Sequence, residues 1–151
     1  MKSQVHSITF YITGTGWVAS WGIRDEPGSS ARNHRLMEVD NPIITLEECN
    51  KFIHETGKTR VTVTDLAMCI RDEPGKGVCW FDWGAALLLI MNESYMVQVG
   101  IFSVRPIYQE RCGSAHGNVA VFTRVSRYLG WIHRRISGCG NHHFITEIKD
   151  Y

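Results

Sequence analysis

The densest run of reactive side chains in this chain is Cys79-Trp80-Phe81-Asp82-Trp83-Gly84, leading into Ala85-Ala86-Leu87-Leu88. It offers one sulfur, one carboxylate and three large aromatic rings. Read alone, it is a turn carrying a single acid, followed by a buried strand from Gly84 to Met91. An indole cannot attack a carbonyl, and no hydroxyl adjoins Asp82 to serve acyl transfer.

Other groups near the end of the chain invite a metal reading. Cys139, His142 and His143 contain a Cys-x-x-His spacing, but a structural zinc takes four ligands. His116 and His133 have no spacing that completes the set, so we expect a polar tail, no metal and no cofactor. Asn92-Glu93-Ser94 is a glycosylation sequon, meaningful only in a secreted chain. The hexapeptide Ile-Arg-Asp-Glu-Pro-Gly occurs at Ile23–Gly28 and again at Ile70–Gly75. It reads as two similar surface turns, with Pro then Gly at the centre, and is too short for a structural repeat.

These groups must be carried by a chain of 151 residues, enough for one domain with one core. Hydrophobic residues at 44% and charged residues at 21% are globular values and argue against disorder. Sixteen basic residues against fifteen acidic ones, with no basic stripe, make nucleic acid a poor partner. The longest apolar run, Ala85 to Met91, is too short to cross a bilayer, so no membrane partner is expected. Met1 to Gly16 has an interrupted apolar segment and no small-residue cleavage site, so no signal peptide is read there. The cysteines at 49, 69, 79, 112 and 139 are odd in number. They mean two bridges and a leftover thiol in a secreted domain, or thiols or a metal site in the cytosol.

Short strands dominate the pattern. Trp17 to Gly22 reads as one, closed by the turn at Asp25-Glu26-Pro27-Gly28; Leu36 to Ile44 alternates and is interrupted by Pro42. Thr45-Leu46-Glu47-Glu48 is a capping box, opening a helix through about Ile53 that carries Cys49. Further strands are expected around Met68 to Ile70, from Gly84 to Met91, from Tyr95 to Val104 and from Val119 to Thr123. Ser126 is expected to cap a last helix, with Val125, Leu129, Ile132 and Ile136 on one stripe and Gly138 at its end. Such a pattern describes an all-β barrel or sandwich with a closing helix.

Six segments in order carry a family resemblance. They are Trp21-Gly22, Val39 to Ile44 with Glu47-Glu48-Cys49, Thr64 to Cys69, Cys79 to Leu87, Val97 to Ser103, and Val121 to Ile132. Together they resemble the C-terminal barrel of trypsin-like serine proteases, from Trp17 to about His133. The resemblance implies an all-β, single six-stranded Greek-key barrel with a short mid-chain helix and a C-terminal helix. It divides the chain into an N-terminal segment 1–16, the barrel and helix 17–136, and a polar tail 137–151.

It also implies bridges Cys49–Cys69 and Cys79–Cys112, each contributing about 3–4 kcal/mol. A third family bridge has lost both ends, at Gly16 and Leu89, and Cys139 has no partner in this scheme. At the site, the resemblance sets Trp83 in the place of the nucleophilic serine. Phe81 stands for a glycine of the oxyanion hole whose backbone region a Phe enters only at a cost. The substrate pocket is expected to be degenerate: Gly77 replaces its floor acid, Val104, Arg105 and Ala120 alter its walls, and Ser103 is kept. The triad's His and Asp belong to an N-terminal barrel that the chain does not contain, and His6 lacks their context.

Asp82 is kept, but the ammonium it receives in the family needs an activation site that is absent here. The expectation is a loosely ordered, zymogen-like loop with Asp82 solvated or near Arg105. Trp80 and Trp83 are expected to fill the cleft rather than form a recognition patch.

The resulting functional expectation is an inactive serine-protease homologue, secreted by resemblance. It would bind a protein partner, or a missing N-terminal barrel, across an exposed barrel face. Two alternatives stay open: a fragment of an active serine endopeptidase, and a truncated product without function.

Overall fold

The computed structural model describes residues 14–23, 34–56, 61–92, 95–106, 112–113 and 117–136. Cys139, His6, His116, His142 and His143 lie outside these residues, as do most of the first hexapeptide and the last two residues of the sequon.

Six strands form a closed antiparallel barrel. They are β1 (Gly14–Ser20), β2 (Met37–Ile44), β3 (Ala67–Arg71), β4 (Ala86–Asn92), β5 (Tyr95–Val104) and β6 (Val119–Arg124). The order around the barrel is β1-β2-β3-β6-β5-β4, with β4 closing on β1 through Trp17–Leu88 and Val18–Leu87. This is the expected Greek-key half barrel with a mid-chain and a C-terminal helix. Pro42 does not interrupt β2; it sits within the strand, opposite Thr15.

The strands close because each sends an apolar side chain into the lumen. Val18, Ile43, Met68, Ile70, Leu87, Val99, Phe102 and Phe122 form the main core, and the Phe102 and Phe122 rings meet at 5.3 Å. Burying side chains of this size contributes about 1.5–3 kcal/mol each. A second cluster on the far face of β3 and β6 packs α1 (Leu46–Glu55) through Cys49 and Ile53. Val63 and Val119 complete it, and the Cys49–Cys69 bridge staples helix to strand with Cα atoms 6.2 Å apart.

α1 begins as its sequence dictates. The Thr45 hydroxyl accepts from the Glu48 amide at 3.1 Å, and the Glu48 carboxylate accepts from the Thr45 amide at 2.9 Å. The C-terminal helix starts differently from expectation. A 3₁₀ turn spans Val125–Tyr128 and α2 follows at Leu129–Ile136, so Ser126 lies inside the turn rather than at its cap. Arg124 takes the cap position without a side-chain capping bond. Its amide instead donates to the Leu66 carbonyl at 2.9 Å and its guanidinium to Ala67 O at 3.0 and 3.2 Å. Contacts to β3 therefore set where this helix begins.

Gly16 and Leu89 lie on β1 and β4, one step from the paired Trp17 and Leu88. Gly16 abuts the core, since a methyl group on it would sit 2.6 Å from the Leu87 Cδ1 atom.

Candidate functional site

β3 and β4 stand on opposite sides of the ring, so the link joining them, residues 72–85, must cross one mouth of the barrel. That crossing carries the candidate site apart from Ser103, Val104 and Arg105 around the end of β5 and Ala120 on β6. It begins with a tight turn in which Glu73 and Lys76 exchange backbone bonds of 3.2 and 2.9 Å around Pro74-Gly75. Gly75 is tied by its amide to Gly113 O at 2.8 Å. The Cys79–Cys112 bridge, with Cα atoms 5.5 Å apart, anchors the same region.

Val78 is 1% exposed and plugs the mouth of the barrel from above. From Cys79 the chain makes two consecutive turns, Asp82 N to Cys79 O at 3.2 Å and Ala85 N to Asp82 O at 2.9 Å. It then joins the sheet, with Gly84 N donating to Phe102 O and Phe102 N to Ala85 O, at 3.0 and 2.8 Å.

Asp82 holds this loop in place. Its Oδ2 accepts from the Cys79 amide at 2.7 Å and its Oδ1 from the Gly22 amide at 2.8 Å. The expectation of a solvated Asp82, or one near Arg105, is therefore corrected: the residue is 8% exposed and its described partners are two backbone amides. The reason is local. A carboxylate turned inward at a barrel mouth is strongly desolvated, and charge-assisted bonds to amides offset that cost.

Two of the three aromatic residues point the other way, while Trp80 is half-buried. Trp83 is 51% exposed and Phe81 45%, which corrects the expectation that Trp83 fills a cleft. The Phe81 and Trp83 rings meet edge to face at 5.8 Å, as do Trp80 and Trp83. The cause lies in the turn geometry: with Asp82 drawn inward, its neighbours 81 and 83 are thrown outward. Phe81 adopts φ = 70°, the left-handed region, which costs a residue with a Cβ about 1–2 kcal/mol. No other non-glycine among the described residues has a positive φ.

A second buried acid, which the sequence reading treated as part of a surface turn, defines the other half of the site. Asp72 continues the inward face of β3 set by Met68 and Ile70, and its side chain is fully buried. The Arg105 guanidinium reaches it at 2.9 Å through Nη2 and donates to Val78 O at 2.6 Å through Nη1. Desolvation pushes the Asp72 carboxyl up to about 6, outweighing the lowering effect of Arg105 and of the Gly113 amide. Gly77 packs directly against this carboxylate; a methyl group on it would lie 2.5 Å from Asp72 Cγ.

The expected pocket residues are thus divided. Gly77 and Arg105 converge on Asp72, Val104 at the end of β5 is half-buried against the other cluster, the one that packs α1, Ala120 is fully buried in the core, and Ser103 is exposed. The signal that could have revealed Asp72 is the two-residue period of β3 carried one step past Arg71.

Within the crossing loop the sequence from 77 to 88 contains no hydroxyl, and the Cys79 sulfur is engaged in its bridge. Asp82 acts there as a brace. A family model described as Trypsin matches residues 7–132, taking in the barrel, the crossing link and the start of α2.

Proposed function

The chain belongs to the trypsin family of serine-protease-type domains, and we propose that it is a member without peptidase chemistry that acts by binding a protein. The observation that carries this reading is residue 83. By the register of the quoted motifs it takes the nucleophile's position, and it is a tryptophan whose ring stands in solvent. Acyl transfer needs an atom that attacks the carbonyl and leaves again, and an indole offers none. Phe81 keeps its backbone N–H in the left-handed region at φ = 70°, so the change from the motif's glycine lies in the added phenyl ring and the strain it carries.

Binding is supported by the same loop. Phe81 and Trp83 expose large rings beside a turn braced by Asp82, and such aromatics are enriched where proteins meet. The partner, a separate protein or a companion barrel, would meet this side of the molecule. The two disulfides fit a secreted setting.

Purified protein with both bridges formed is treated with a serine-directed phosphonate and offered a mixed peptide pool. We expect no adduct on residues 79–86 and no cleavage. A covalent adduct in that segment, accompanied by peptide turnover, rejects the proposal.

A further inference from the structure

Arg105 owes its position to an irregularity in β5. Phe102 faces Phe122 on β6, but the next pair is Val104 with Val121, so Ser103 is an extra residue on the β5 side. Simple alternation from the buried Phe102 would turn residue 105 outward. The bulge reverses that alternation and sends the Arg105 side chain into the barrel mouth, where it is 5% exposed.

What it meets there is a set of acceptors. Val78 supplies a carbonyl oxygen and Asp72 a carboxylate, of which Oδ2 is bonded to Arg105 while Oδ1 is buried and accepts no hydrogen bond among the described residues. Gly77, lacking a side chain, leaves the carboxylate its space. A planar cation with several N–H donors satisfies such a set; an ammonium, a compact point charge, does not match its spread. Tethered at residue 105, the guanidinium engages one carboxylate oxygen, whereas a free guanidinium could take both.

From this geometry we infer that Asp72 and Val78 form a binding site for one guanidinium or amidinium cation, occupied in the native chain by Arg105 of the same molecule. The site is self-occupied: an attached ligand has an effective concentration of about millimolar or more, which shuts out dilute external cations. This inference does not depend on whether the exposed loop binds a partner.

The test uses the oxidised full chain carrying Arg105→Ala, probed with methylguanidinium chloride. Its thermal midpoint should rise saturably. At ten times Kd the folded-to-unfolded ratio should be about elevenfold higher. Methylammonium chloride at equal ionic strength should give no such rise. The wild type, whose site is filled, and Arg105→Ala/Asp72→Asn, whose acid is gone, should also stay flat. A flat response in Arg105→Ala, or an equal rise in all three proteins, overturns the inference. A nitrogen-15 measurement on the wild type provides a check that needs no variant. The Arg105 Nη protons should appear separately and exchange slowly with solvent; a single averaged, fast-exchanging signal overturns the inference as well.

Discussion

Gly22 and Asp82, sixty residues apart, approach so closely that a methyl group on Gly22 would fall 2.1 Å from the Asp82 Oδ1 oxygen. The crossing link between β3 and β4 and the chain leaving β1 are thereby locked to one another through a carboxylate. A second tie, Ile23 N to Trp80 O at 2.9 Å, runs beside it. The pair explains why the loop is braced although its aromatic residues face solvent.

Gly22→Ala must therefore expel the carboxylate. The carboxylate cannot simply swing aside, because Cys79 N holds its other oxygen at 2.7 Å. We expect a loss of about 1.5–3 kcal/mol, the contribution of one charge-assisted hydrogen bond, read from the urea midpoint at unchanged slope. A Gly22→Ala protein as stable as the wild type would mean that the bond to Gly22 does not brace the loop.

Asp72 predicts a pH dependence of unusual sign. Its folded-state carboxyl is raised from 3.8 to about 6, so between those values the native state holds more proton than the unfolded chain. Stability then falls as pH rises through this window, by on the order of 3 kcal/mol. Asp40 and Glu48 shift the opposite way, held down by Lys76 and by the Thr45 amide respectively, and their loss of stability belongs to more acid pH. The interval from about 4.5 to 6.5 thus reports chiefly on Asp72, and Asp72→Asn should remove the slope there. Arg105→Ala, which strands a buried carboxylate, should cost about 3–5 kcal/mol at neutral pH and less at pH about 5, where that carboxyl is protonated. Denaturant titrations across pH check both; a slope unchanged in Asp72→Asn assigns it elsewhere.

Much of this architecture was legible in the sequence, and the exceptions share a cause. Thr45 and Glu48 lie one helical turn apart, and the strand alternations are equally local, so residue type and spacing sufficed. The bridges and barrel topology followed from six motifs in order. Asp72 was misread because its burial depends on Arg105, thirty-three residues away, which itself faces inward through a one-residue bulge at Ser103. The start of the last helix was misplaced because Arg124 bonds to Leu66 and Ala67 across the sheet rather than to its own helix. Trp83 was placed inward on general hydrophobicity, whereas the inward direction in that turn was already taken by Asp82.

Phe81 offers a direct measure of backbone strain. Its φ of 70° costs about 1–2 kcal/mol relative to glycine. The greater freedom of glycine in the unfolded chain returns about 0.5–1 kcal/mol of that, and the edge contact with Trp83 is half-exposed. Phe81→Gly should therefore be unchanged or up to about 1 kcal/mol more stable. Phe81→Ala keeps the strain and loses the ring, so it should fall below Phe81→Gly by about 1 kcal/mol. Thermal midpoints of the two variants decide; an alanine variant as stable as the glycine one would show that the left-handed conformation is not retained in solution.

Asn41 is the remaining irregularity of the barrel interior. It is 1% exposed on β2, opposite Gly16, and its amide oxygen and nitrogen have no hydrogen-bond partner among the described residues. A buried polar group in that condition costs about 1–3 kcal/mol. Asn41→Val removes the group, keeps a side chain suited to a strand and adds apolar surface to a core that already includes Ile43. We expect stabilisation by about 1–3 kcal/mol, seen as a higher urea midpoint with the slope unchanged. Ordinary loss of stability would instead show that the amide is satisfied in solution, by a water held in the barrel.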